Sequence, residues 1–317
     1  QANTISGALI GAFGLDWGTL SIAGSPVQVA ALAIGALLVL LTGLIIFGGL
    51  RSIARFSELA VPFMAAAYLL LALVLILLNL DQLPGILVLI VKSAFGLHEA
   101  AAGGIGAAIL NGFKRGLFSN EAGMGSAPNA AAAATTRHPA SQGVIQMFGV
   151  FIDTMIVCTC TALIVLLSGA CVPGAELKGV QLTQAAMSAT LGSWGGTLLA
   201  VIMFLFCFST IIGNYAYAEG NVEFIKNNKV VIFVFRLAVL GMVVFGCLGS
   251  SMLVWDMADL AMGVMALINL FAIVMLSKYV FVLLKDYQQQ LKAGVKQPVF
   301  DVKKYPEIEA KIHKDVW

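Results

Sequence analysis

The sequence predicts an all-α polytopic membrane protein, on three observations. Of 317 residues, 60% are hydrophobic and only 11% are charged, well below the roughly 25% typical of soluble domains. Apolar runs of about 20 residues, long enough to cross a bilayer core of roughly 30 Å, recur along the chain. Barrel-type alternation is missing from these runs, so the membrane part is expected to be helical.

The elements follow in order. The opening QANTISGALI has no initiator Met, no basic leader and no signal peptide. It is expected to be the end of a helix, and the chain a fragment lacking the first helices. Residues 27–47 form the first full span, with Gln28 at its outer end, and 60–80 the second. Residues 83–96 are too short to cross and are expected to lie at the interface. Spans follow at 143–167 (with Asp153), 194–217, 230–248 (with Arg236) and 252–284 (with Asp256, Asp259 and Lys278). The tail from about Asp286 is polar and carries Pro298 and Pro306.

Loop charges set the expected orientation. Arg51 and Arg55, then Arg137 and His138, then Lys226, Lys229 and Arg236, then Lys278, Lys285, Lys292 and Lys296 mark every second loop or end. The loops between are poor in bases, so the basic ones, and the C-terminus, are expected in the cytoplasm. Cys158, Cys160, Cys171, Cys207 and Cys247 form no CxxC pair and are read as small apolar residues. The three His do not pair at metal-ligand spacing.

Residues 100–136 stand apart. A straight helix of 37 residues would run about 55 Å, far beyond the bilayer core. Some of it must be unwound, and counting inward from both ends brackets the break between Leu110 and Ala127. Gly112, Gly116, Gly123 and Gly125 lie in that bracket, with Pro128 just past it. The residues leave two places open, Asn111–Gly116 or Gly123–Pro128. Unwound peptide groups at membrane depth must line a protein-enclosed or wet cavity. Freed N–H groups attract a carboxylate, and freed carbonyls hold a cation or an ammonium. That suits a transport site for a zwitterion. Lys114, Arg115 and Glu121 fit a functional role, because intramembrane charge is costly. The plainer alternative is an ion pair that closes a helix gap.

The stretch NGFKRGLFSNEAGMGSAPNAAAAA (residues 111–134) closely resembles the signature of the alanine/glycine:cation, or sodium:alanine, symporter family. So do QAN, SAFGLHEAAAG, GVIQMFGVFIDTMIVCT, NYAYAEGN and PVFDVKKYPEI, so the resemblance covers nearly the whole chain. It implies a LeuT-type fold, a five-plus-five inverted repeat. On that map residues 1–80 are the remainder of the first repeat (the end of helix three, then helices four and five) and 81–99 an interfacial segment. Residues 100–285 would be the second repeat, helices six to ten with helix six broken, and 286–317 a cytoplasmic tail.

The resemblance also implies site residues. On broken helix six, Asn111, Gly112, Phe113, Gly116, Ser119, Asn120, Gly123 and Met124 are the substrate candidates. Glycines let backbone approach a small amino acid, Asn and Ser turn to carboxylate or ammonium, and Phe113 or Met124 would wall a methyl-sized pocket. Taken singly, each of those two is more often packing. Lys114, Arg115, Glu121 and Asp153 would form a charge network, with Glu121 expected to balance Arg115 and Asp153 to pair with Arg115 or Lys114. On helix eight, Ser209 and Thr210 resemble the adjacent hydroxyls that ligate sodium in LeuT-type symporters, a hard cation on oxygen ligands. The competing reading is that they bond back to their own helix. Asn214, Tyr217 and Glu219 suit a gate or an interfacial belt. Asp256 and Asp259 are expected to be partly solvated, and Asn269 to bond between helices.

The expected function is secondary active transport: sodium-coupled symport of alanine or glycine across a bacterial or archaeal plasma membrane. No organic cofactor or nucleic-acid partner is expected; the partners are the amino acid, sodium and lipid. A proton-coupled carrier of another small solute and a non-transporting structural subunit are the alternatives. Enzyme chemistry is not expected, since Cys158 has no nearby His to serve as base.

Overall fold

A computed structural model describes residues 1–22, 25–94, 102–170 and 179–312. The helices are α1 (Ala2–Phe13), α2 (Val29–Ile46), α3 (Leu50–Leu78), α4 (Leu83–Ala94), α5 (Ala102–Asn120) and α6 (Ser126–Ala132). They continue as α7 (Pro139–Phe151), α8 (Thr159–Leu167), α9 (Val180–Leu191), α10 (Ser193–Ile225), α11 (Lys229–Leu248), α12 (Ser251–Lys292) and α13 (Pro306–Glu309). All six uninterrupted spans expected from hydropathy are helical, and among the described residues six helical stretches are long and apolar enough to cross a membrane. The chain is a polytopic membrane protein.

Two local features escape the hydropathy reading. Thr19–Ile22 (β1) and Ser25–Gln28 (β2) pair antiparallel, Thr19 opposite Gln28. A π-helical turn, Ile152–Cys158, joins α7 to α8. Such turns widen a helix by one residue per turn and are frequent at functional sites.

The chain divides into two compact units, residues 1–110 with 157–258, and 111–156 with 259–317. In the first, α10 lies between two apolar clusters. Ile5, Leu38, Phe208, Ile212 and Tyr215 belong to one, built on α1, α2, α10 and α11. Tyr68, Leu75, Ile164, Met187 and Leu199 belong to the other, built on α3, α8, α9 and α10. Gly35 lets α2 approach α11, where an added Cβ would lie 3.4 Å from Cys247 Cβ. At one end of this unit Arg236 of α11 donates to Glu219 (2.7 Å) and to the Tyr215 hydroxyl (2.9 Å) of α10. Glu219, a gate or belt candidate by sequence, is buried and held in this ion pair.

In the second unit the chain after α12 folds back on the start of α7. Asp286 accepts from His138 Nε2 (3.1 Å), Tyr305 (2.7 Å) and Gln290 (2.7 Å). Phe300 N–H donates to the Arg137 carbonyl (2.9 Å), and Gln290 exchanges two hydrogen bonds with the Val299 backbone (2.9 and 3.0 Å). His138 is fully buried between Tyr287 and Phe300. Its Nδ1 accepts from Ala140 N–H, which caps α7 and leaves the ring proton on Nε2, facing Asp286.

Candidate functional site

The helical run of the second unit stops at Asn120 and resumes at Ser126. Asn120 turns its side-chain oxygen onto Ala122 N–H (2.9 Å), giving the backbone an alternative to the helix. Glu121 is left-handed (φ 56), as are Gly123 (φ 83) and Gly125 (φ 97). A left-handed non-glycine is a rare conformation that tends to mark turns and functional segments. Of the two places that the glycines leave open, the interruption overlaps the second. Pro128 sits in the first turn of α6, where its missing N–H costs no helical bond.

Helix α12 packs against this turn. A Cβ on Gly123 would lie 3.6 Å from Leu270. One on Gly125 would lie 3.2 Å from Asn269 Cβ and 3.4 Å from its Oδ1. Asn129 Nδ2 holds the Gly125 carbonyl at 2.9 Å. Beside the interruption, Ser119 donates to Asp153 (2.6 Å) and Asn120 to the Thr154 hydroxyl (3.1 Å). The end of α5 is thereby tied to the π-helical turn, whose wider pitch presents Asp153 and Thr154 together.

Among the substrate candidates, Ser119, Asn120, Gly123 and Met124 gather at the interruption, and Met124 is buried. Asn111, Gly112 and Phe113 lie farther up α5 on an exposed face, with Phe113 69% exposed. Gly116 lies between and faces open space. Met124 lines a cavity of about 350 Å³ with Leu117, Phe118 and Gly263. Lys114 and Asp259 stand at its polar side.

The charge network takes in Asp259 of α12. Arg115 Nη2 donates to both oxygens of Asp259 (3.2 and 2.9 Å), and Lys114 Nζ lies 3.9 Å from the same carboxylate. Asp259 reaches them from α12, where sequence reasoning made it a solvated end residue. Asp153, expected beside Arg115 or Lys114, holds the Ser119 hydroxyl. Asn269, expected to bond between helices, has its side-chain N–H₂ buried with no partner, and so has the Ser126 hydroxyl.

In the first unit, Ser209 and Thr210 both donate to the Phe206 carbonyl, at 2.8 and 2.9 Å. This is the back-bonded arrangement common for hydroxyls in membrane helices. A hydroxyl that donates its proton keeps its lone pairs, so each oxygen retains the means to ligate a cation. Ser209 Oγ also lies 3.9 Å from Met64 Sδ of α3.

A profile of the sodium:alanine symporter family matches residues 1–302. The chain belongs to this family. It is 50% identical over 301 residues to the probable sodium/glutamine symporter GlnT of Bacillus subtilis, covering 95% of this chain and 59% of that protein. It is 49% identical to the amino-acid carrier protein AlsT of the same organism, covering 96% and 62%. The sodium/alanine symporter AgcS of Methanococcus maripaludis is 37% identical, covering 87% and 58%. The chain thus spans about six tenths of the length of these symporter-family relatives.

Proposed function

We propose that this chain is the larger part of a secondary active transporter that couples sodium entry to uptake of a small zwitterionic amino acid, alanine or glycine. The interrupted segment at Glu121–Gly125 carries the reading. It places left-handed backbone, two glycines and the polar side chains of Ser119 and Asn120 inside a membrane helix. Such a break is tolerated where it lines a solute cavity. Ser119, Asn120, Gly123 and Met124 form the substrate side; Asn111, Gly112, Phe113 and Gly116 lie along the approach. Ser209 and Thr210 hold sodium through hydroxyl oxygens. Alternating access follows from a LeuT-type pair of inverted repeats, with residues 100–285 as the second repeat. The membrane is the plasma membrane, with the tail from residue 286 in the cytoplasm, as the loop charges favour.

A second reading concerns the substrate. A relative named for glutamine is 50% identical, and relatives named for alanine are 36–39% identical. Glutamine is also a zwitterion, with a longer polar side chain, so it belongs in the same test.

The test is uptake of labelled alanine, glycine and glutamine into proteoliposomes by the chain extended to the length of its relatives. Saturable uptake that requires an inward sodium gradient, and falls at least tenfold on Ser209→Ala plus Thr210→Ala, is the expected result. Uptake driven by a proton gradient and indifferent to sodium would overturn the sodium assignment. Uptake of glutamine in preference to alanine would reassign the substrate.

A further inference from the structure

We infer that Ser126 and Asn269 bind the carboxylate of the transported amino acid; the inference rests on the transport reading above. Ser126 is 7% exposed, and its hydroxyl oxygen is buried with no hydrogen-bond partner. The side-chain nitrogen of Asn269 is in the same condition. Buried polar groups are nearly always paired, and leaving one unpaired is costly, so two at one place point to an absent third group.

The two flank Gly125. Ser126 follows it in the chain, and the Asn269 side chain packs on its Cα, where a Cβ would lie 3.2 Å from Asn269 Cβ. The left-handed φ of 97 at Gly125 ends the interruption and starts α6. Other polar groups around the turn are paired: Asn129 holds the Gly125 carbonyl, Asn120 holds Ala122 N–H, and Met124 N–H donates to the Glu121 carbonyl. Among the described residues, the buried side-chain atoms at the turn without a partner are the Ser126 hydroxyl and the Asn269 amide nitrogen.

Their chemistry selects the ligand. A side-chain amide N–H₂ donates only, and a serine hydroxyl donates one proton. Two unpaired buried donors beside one glycine call for an acceptor, and an amide N–H₂ repels a cation. The acceptor on a zwitterionic amino acid is its carboxylate, and hydrogen bonds to a charged acceptor are the strong ones. The carboxylate would lie at the α6 side of the interruption, leaving the ammonium for Ser119, Asn120 and freed carbonyls.

The experiment measures sodium-driven alanine uptake by the full-length transporter and by Ser126→Ala, Asn269→Leu and Asn269→Asp. Thermal unfolding in detergent is followed in parallel. Competition by alanine amide, which lacks the carboxylate charge, is measured on each. Ser126→Ala and Asn269→Leu should each raise KM roughly ten- to a hundredfold with little change in maximal rate, the size of a lost hydrogen bond to a charged group. Asn269→Asp, which sets a negative charge against the carboxylate, should weaken alanine further while sparing alanine amide. An unchanged KM with a lowered unfolding temperature would overturn the inference, since protein or water would then be the missing partner. In that case the unaltered protein would still transport, and the transport reading would stand. No saturable uptake by the unaltered protein would overturn both.

Discussion

The second unit holds two polar clusters of opposite character. Around Asp286 every buried donor has an acceptor: His138, Tyr305 and Gln290 converge on one carboxylate, and Gln290 also clamps Val299. Around Gly125 two buried polar atoms have no partner, and three alternate residues, Glu121, Gly123 and Gly125, have left-handed backbone. A satisfied cluster is finished by folding, so its residues should act on stability. An unsatisfied one is finished by a ligand, so its residues should act on transport.

The largest expected effect belongs to the satisfied cluster. Asp286→Ala strands the buried His138 Nε2–H and takes the acceptor from half-buried Tyr305 and Gln290, and should cost about 3 kcal/mol, read as a large drop in unfolding temperature. The alanine KM of the protein that remains folded should be unchanged; a raised KM would dissolve the contrast. Next comes Gly125→Ala. The left-handed backbone disfavours any side chain, and the new methyl would crowd Asn269 at 3.2 Å. About 1–3 kcal/mol of strain is expected, together with severe loss of uptake. If uptake were retained, the shape of this turn would not matter to function.

A smaller effect is expected from Tyr305→Phe, about 1 kcal/mol for one hydrogen bond. The Asp286 carboxylate that accepts from the Tyr305 hydroxyl, helped by burial, pushes that phenol up to about 12. Its folded value is raised, so the stabilisation is complete below the ordinary tyrosine value near 10 and is lost as pH rises through about 12. Tyrosinate absorbance should lose a step near pH 12 on Tyr305→Phe. The smallest effect is at Lys278 and Glu307, a 2.7 Å ion pair at the exposed edge of the tail. Lys278→Ala should leave unfolding temperature and uptake within error.

Much of the architecture was legible in the sequence because hydropathy and helix length are local. Six spans needed only runs of apolar residues, and the need for a break needed only the length of residues 100–136. Where the break falls depended on details with no hydropathy signal: the Asn120 side chain capturing Ala122 N–H, and Glu121 turning left-handed. The Asp259 partner of Arg115 and the Ser119 partner of Asp153 escaped the sequence for a different reason. Asp259 lies 144 residues beyond Arg115, and no pattern along the chain joins them. The same holds for His138 and Asp286, 148 residues apart, which turn a plain polar tail into a packed element. Of the candidate site, Ser119, Asn120, Gly123 and Met124 were found by their chemistry and by the resemblance. Ser126 was passed over because an isolated serine near a helix start is ordinary, and Asn269 was read as a bond between helices because its unpartnered nitrogen could not be seen.

The central claim is that the Glu121–Gly125 interruption holds the amino acid. The most direct measurement places a single thiol there, Ser119→Cys in a cysteine-free background of the full-length transporter. Its modification rate by a small water-soluble thiol reagent is followed in membranes. The account predicts that alanine slows modification severalfold when sodium is present and much less when choline replaces sodium. Modification at one rate with and without alanine, in a protein that still transports it, would contradict the account.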